Sequence, residues 1–177
     1  MQNYHLLCLN SLKYELFNYK LIMSIEIGKP APEFKLFNTE KKEVSLLDYK
    51  GKNVVILFFP LAFTGVCTAE LCSIRDNYNV YTSLNAVVVG ISIDSLFVLE
   101  KFKKEQNYNF DLLSDFNKTT SKNYNTLYDT FAFGMIGVSK RSAFVVDKNG
   151  ILQYAEILED AGKQPNFDSI KACLEKI

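Results

Sequence analysis

Unbroken apolar runs alternate along this chain with segments whose apolar residues recur every three or four positions. Residues 53–59 (NVVILFF) carry no polar side chain after Asn53, the pattern of a strand buried on both faces, and Pro60 ends the run. Residues 85–93 (NAVVVGISI) repeat that pattern. Between the two, Leu71, Ile74, Tyr78 and Tyr81 lie at helical spacing and predict a helix over residues 68–82. Asp94 or Ser95 can cap a further helix running to about Glu105. A short strand is expected over residues 110–113 and a helix over 117–127. Residues 142–146 and 151–157 flank Asp147-Lys148-Asn149-Gly150, and an Asn-Gly pair between two strand-like runs signals a hairpin. Residues 167–177 close the chain as an amphipathic helix with Ile170, Cys173, Leu174 and Ile177 on one side.

Upstream, Lys29-Pro30-Ala31-Pro32 is a stiff extended lead-in to a short strand at 33–37, and residues 48–52 form a turn. The order β-α-β-α, then a hairpin, then a helix, yields an α/β sandwich around a mixed central sheet. Residues 1–22 differ in character. Their apolar positions are interrupted by Asn10, Lys13 and Glu15, which suits neither a membrane span nor a signal peptide. From Met23 the text reads as the opening of a compact domain. Met23 is therefore expected to be the working start, with residues 1–22 an extension, upstream read-through or a poorly ordered tail, and residues 23–177 a single domain. A short targeting segment is the competing reading of the extension, and the cytoplasm is the default compartment.

Composition narrows the function classes. The 177 residues are 48% hydrophobic, and twenty basic residues balance twenty acidic ones, so the chain can bury a real core and has no global basic field for nucleic acid or an anionic membrane. Four cysteines (Cys8, Cys67, Cys72, Cys173) are too few and too unevenly spaced for a secreted disulfide framework. The lone histidine, His5, makes a His-based mechanism or a His-rich metal site a poor starting point.

Candidate chemistry concentrates in residues 58–72 (FFPLAFTGVCTAELC), which place Cys67 just past a buried strand and at the opening of a helix. Reactive groups gather at such strand ends in open α/β sheets. Unpaired N–H groups and the positive end of the helix favour a thiolate there, and the thiolate is the nucleophile. Thr64 can offer its hydroxyl to that sulfur or to a bound oxygen, and the Pro60 ring can wall the sulfur from water.

The spacing Pro60-x-x-x-Thr64-x-x-Cys67 resembles the active-site signature of the peroxiredoxins. The surrounding FFPLAFTGVCTAEL is similar to the subgroup holding the AhpE-type and Q-type (bacterioferritin-comigratory) enzymes. The opening IGKPAPEF, LLSDFN at 112–117 and KRSAFVVDKNG at 140–150 extend the resemblance to the rest of the domain. It implies a thioredoxin-like fold, a mixed central sheet flanked by helices, with the N-terminal extension of peroxiredoxins. It also implies a thiol-dependent peroxidase acting on hydrogen peroxide and organic hydroperoxides, with no metal or organic cofactor. In that reading Arg141, one of two arginines, sits beside Cys67 and hydrogen-bonds the thiolate and the peroxide. An always-charged planar donor suits a developing oxyanion better than a mobile lysine. Glu70 fits the subgroup pattern and is expected to polarise a network around Thr64 and Arg75; as a first-turn acid favoured by the helix dipole it has an equally simple explanation.

Attack of the Cys67 thiolate on a hydroperoxide leaves a sulfenic acid. The resemblance implies that Cys72 resolves it as an intramolecular disulfide, which thioredoxin or a similar dithiol then reduces. Five residues of α-helix separate the Cα atoms by roughly 8–9 Å, whereas a disulfide needs about 4.4–6.8 Å, so the helix must first unwind. If Cys72 instead packs inward, an external thiol completes a one-cysteine cycle. Cys173 reads as core. A thioredoxin-like disulfide reductase would need Cys-x-x-Cys, and a non-enzymatic thiol scaffold would leave Pro60, Thr64 and Arg141 unrelated. Phe63, Phe131 and Phe133 are expected around the site as core or rim, and the protein as a monomer or homodimer.

Overall fold

The computed structural model describes residues 25–177. The proposed extension, with His5 and Cys8, lies outside the described residues. The chain runs β1 (Lys35–Asn38), β2 (Glu43–Ser45), a 3-10 turn (Leu46–Tyr49), β3 (Asn53–Phe58), α1 (Gly65–Asp76), α2 (Tyr78–Ser83), β4 (Ala86–Ser92), α3 (Leu96–Gln106), β5 (Asp111–Ser114), α4 (Thr119–Asn123), a second 3-10 turn (Ala132–Gly134), β6 (Ser142–Val146), β7 (Leu152–Ile157) and α5 (Phe167–Leu174). The strands form one seven-stranded sheet in the order β2-β1-β5-β4-β3-β6-β7. β3 runs parallel to β4 and antiparallel to β6, and β4 runs parallel to β5.

The unbroken apolar runs are central strands covered on both faces. Along β3, Val55 and Leu57, with Phe59 just beyond, enter a core shared with Leu71 and Ile74 of α1, Leu99 and Phe102 of α3, and Ile170 and Leu174 of α5. Val54, Ile56 and Phe58 enter the opposite core with Tyr124, Phe144 and Leu152. Successive strand side chains point to opposite faces, so two cores require apolar residues at every position. Each fully buried Leu, Ile or Phe contributes about 1.5–3 kcal/mol. Gly90 of β4 has a packing reason: a Cβ there would stand 2.7 Å from Leu112 Cδ2 and 3.3 Å from Phe59 Cε1.

The hairpin forms where Asn-Gly placed it. Asp147 Oδ1 accepts from the amides of Asn149 and Ile151, and Gly150 takes φ +86. The predicted helix over 68–82 is two helices. It begins earlier, at Gly65, and breaks at Asn77, whose side-chain amide donates to the Ser73 carbonyl and so closes α1. Ser95 rather than Asp94 is the N-cap of α3, accepting from Val98 N. The helix expected over 117–127 is the single turn α4, and Asn125 beyond it takes a left-handed φ of 54°.

Candidate active site

Strand register creates the site. Phe58 of β3 pairs with Ser142 of β6, so the residues just outside the sheet, Phe59-Pro60 and Arg141, leave the same edge side by side. From Pro60 the chain crosses to α1 through a short loop fixed by Asp94. One carboxylate oxygen of Asp94 accepts from Ala62 N and from the Ser92 hydroxyl, each at 2.7 Å. Asp94 thus holds the loop that presents Thr64, a role its cap-like sequence context did not reveal. In the same loop Phe63 adopts a φ of +63°, unusual for a bulky side chain, and its ring packs on Phe102 with centroids 4.8 Å apart.

Thr64 is the N-cap of α1 by backbone geometry, but its hydroxyl donates to the Leu61 carbonyl at 2.8 Å instead of capping the helix. The first α-helical hydrogen bond of α1 runs from Thr68 N to Thr64 O. The amides of Gly65, Val66 and Cys67 therefore precede the helical ladder and leave donors free at this end. Cys67 sits in this first turn.

Cys67 and Arg141 are each 1% exposed and Glu70 is 0% exposed. Arg141 Nη2 donates to Cys67 Sγ at 3.3 Å, and Arg141 Nη1 donates to a Glu70 carboxylate oxygen. The guanidinium also rests on the Ala161 carbonyl, 2.9 Å from Nη2 and 3.3 Å from Nε. One planar cation thus spans the sulfur, the carboxylate and a backbone oxygen, a task for five fixed donors that an ammonium would not match. Burial opposes the guanidinium charge, but the Glu70 carboxylate and the Cys67 sulfur beside it raise its pKa overall. Burial pushes the Glu70 carboxyl up to about 7 against the lowering pull of Arg141, and its second oxygen has no hydrogen-bond partner.

The cluster opens to a pocket of ≈ 250 Å³ lined by Pro60, Thr64, Cys67, Phe131, Arg141 and Ala161, among others. Its size suits a small polar molecule. Pro60, Thr64, Cys67 and Arg141 thus line one pocket, with Arg141 beside Cys67 as the resemblance implied. Glu70 joins them through Arg141 and not, as expected, through Thr64 and Arg75. Arg75 goes elsewhere: its guanidinium pairs with Asp76 and donates to the Gln106 carbonyl. Of the flanking aromatics, Phe131 lines the pocket, whereas Phe133 is fully exposed. Cys173 packs against the α-helical core, where burial raises its pKa. Cys67, Cys72 and Cys173 are free thiols.

The AhpC/TSA family matches residues 27–155. The chain belongs to that family. It is a peroxiredoxin, a thiol-dependent peroxidase. Peroxiredoxin Bcp of Bacillus subtilis is 38% identical over 132 residues, covering 73% of this chain and 83% of that protein. A mitochondrial thioredoxin-dependent peroxide reductase of Drosophila melanogaster is 34% identical over 146 residues, 77% of this chain and 60% of the relative. The crystal structure of peroxidoxin BcpB from Mycobacterium tuberculosis superposes with a TM-score of 0.76 at 26% identity, over 87% of this chain and 99% of that one. The thioredoxin-like fold that the resemblance implies is the peroxiredoxin fold observed. As a peroxiredoxin the protein takes a peroxide substrate and a thiol reductant. No helix among the described residues is long and apolar enough to cross a membrane.

Proposed function

We propose that Cys67 is the peroxidatic nucleophile of a two-cysteine cycle that reduces hydrogen peroxide and organic hydroperoxides. The observation that carries this reading is the 3.3 Å hydrogen bond from Arg141 to the Cys67 sulfur at the floor of an open pocket. The thiolate attacks the distal peroxide oxygen. An S–O bond forms as the O–O bond breaks, and the departing oxygen leaves as water or an alcohol after taking a proton from solvent. Cys67 is left as a sulfenic acid. Arg141 stabilises charge on the departing oxygen, the Thr64 hydroxyl oxygen accepts from the protonated peroxide oxygen and orients it, and the free amides of the first turn of α1 complete the cradle. Pro60 shields the sulfur.

In the second step Cys72 condenses with the sulfenic acid, expelling water and forming the Cys67–Cys72 disulfide. Both cysteines lie on α1, so the helix opens to permit it. A dithiol donor of the thioredoxin type then restores the two thiols, a reading supported by the name of the Drosophila relative. Four cysteines, too few and too unevenly spaced for a secreted disulfide framework, support a cytoplasmic setting.

Peroxide consumption by the wild type, Cys67→Ser and Cys72→Ser tests the scheme. Cys67→Ser loses turnover; retained fast turnover would overturn the assignment. After one equivalent of peroxide, the intact mass of the wild type falls by two hydrogens and that of Cys72→Ser does not. A stable added oxygen or a disulfide-linked dimer in the wild type would replace internal resolution with an external thiol.

A further inference from the structure

The C-terminal half of α1 is tied to one short stretch of chain at four points. The Cys72 thiol donates to Gln106 Oε1 at 3.7 Å and lies 4.0 Å from the Tyr108 hydroxyl. One turn further along α1, Arg75 Nη1 donates to the Gln106 carbonyl, and Asn109 Nδ2 donates back to the Arg75 carbonyl at 3.2 Å. Asn107 makes this convergence possible. Its left-handed φ of 54° ends α3 and turns the chain, so that residues on both sides of it meet the same helix. The stretch is anchored behind by the Tyr108 ring, which packs edge-on against Phe102 at 5.1 Å and against Phe110 at 5.5 Å.

None of these four hydrogen bonds involves Cys67, Glu70 or Arg141. They act on the half of α1 that catalysis of peroxide cleavage does not use. They do bear on the step that follows. Five residues of helix keep the Cα atoms of Cys67 and Cys72 roughly 8–9 Å apart, beyond disulfide reach. The Cys72 sulfur is moreover held by Gln106 and Tyr108. It reaches Cys67 only after those contacts part.

We propose that residues 106–109 are a latch on the second half of α1, and that its release sets the rate at which Cys72 resolves the Cys67 sulfenic acid. The inference rests on the resolving role of Cys72 and adds Gln106 and Tyr108 as positioning residues, with Arg75 as the anchor. On release, the Cys72 sulfur attacks the sulfenic sulfur. The S–S bond forms as the S–O bond breaks, and the hydroxyl leaves with the Cys72 proton as water. No electrons are needed beyond the pair already given to the peroxide. While the latch is closed the sulfenic acid persists, and a second peroxide can carry it to the sulfinic acid. The latch therefore sets the balance between recycling and over-oxidation.

The test is rapid-quench intact mass spectrometry of the reduced full-length protein mixed with hydrogen peroxide, using the wild type, Gln106→Ala and Tyr108→Phe. Tyr108→Phe keeps the packed ring and removes only the hydroxyl. Both variants consume the first equivalent of peroxide at the wild-type rate. Both form the disulfide faster, by roughly twofold or more for a lost hydrogen bond to a thiol, a weak donor, and show less sulfinic acid at excess peroxide. A merely structural role would not speed one step while sparing the other. Disulfide formation at an unchanged or slower rate in both variants overturns the latch and leaves the role of Cys72 standing. Absence of any internal disulfide in the wild type overturns both.

Discussion

Cys67 and Glu70, one helical turn apart on α1, share the guanidinium of Arg141, which gives one terminal nitrogen to each. The arrangement makes a single residue responsible for two jobs. It places a fixed positive charge beside the reactive sulfur, and it neutralises a carboxylate that would otherwise lie buried alone beneath the site.

Arg141→Lys separates geometry from charge. A lysine keeps the cation but cannot span Cys67, Glu70 and the Ala161 carbonyl together. The expected loss in the second-order rate constant for peroxide reduction is about tenfold or more, which corresponds to at least ~1.4 kcal/mol of transition-state stabilisation. Stopped-flow peroxide competition measures it directly. Near-wild-type rates in Arg141→Lys would show that net charge alone suffices.

Glu70 gives the fold a pH signature. Its carboxyl is raised to about 7 in the folded protein from an ordinary value of 4.5, chiefly by burial. The native state therefore holds this proton more tightly than the unfolded chain. Stability from this group is greatest below about 4.5, declines as pH rises toward about 7, and is level above that. Glu70→Gln removes this component. In urea unfolding of the reduced protein, the wild-type stability minus that of Glu70→Gln decreases between pH 5 and pH 7.5; an increase across that interval would contradict the assignment.

Much of this site was legible because its parts are local. Pro60, Thr64 and Cys67 fall within eight residues, and a buried strand followed by a helix fixes their relative placement whatever the rest of the fold does. The partner of Glu70 was not legible. It depends on β3 pairing with β6 in one register, which brings Arg141 from 71 residues away, while the nearer arginine, Arg75, lies on another face of α1 and is drawn to Gln106. The break at Asn77 was hidden for a different reason. Leu71, Ile74, Tyr78 and Tyr81 keep helical spacing across it, so the apolar pattern continues while the backbone ladder does not. The edge strand β2, three residues long and half-exposed, has too short a pattern to register at all.

Asp94 carries a prediction that sequence alone did not suggest. Its carboxylate is the acceptor for Ala62 N, in the loop that delivers Thr64. Asp94→Ala leaves that amide and the Ser92 hydroxyl without their partner, at a cost of about 1–3 kcal/mol in stability. Peroxide reduction slows as well, because Thr64 loses its fixed position. Chemical denaturation and peroxide kinetics on the same preparation separate the two effects. Wild-type kinetics in a destabilised variant would confine Asp94 to a structural role.

Thr64 is the sharpest test of how the pocket handles oxygen. Its hydroxyl proton is committed to the Leu61 carbonyl at 2.8 Å, and its backbone carbonyl already receives Thr68 N and the Thr68 hydroxyl. The hydroxyl oxygen lone pairs are what remain for the site, so in the proposed mechanism Thr64 acts as an acceptor toward a protonated peroxide oxygen and thereby orients it against the Cys67 sulfur. Thr64→Val preserves shape and removes that acceptor. It lowers the rate constant for peroxide reduction about tenfold or more, while Thr64→Ser keeps the hydroxyl and stays within roughly threefold of the wild type. Both variants retain the helix start, since the native side chain does not cap α1. Equal rates for Thr64→Val and Thr64→Ser would remove the hydroxyl from the mechanism.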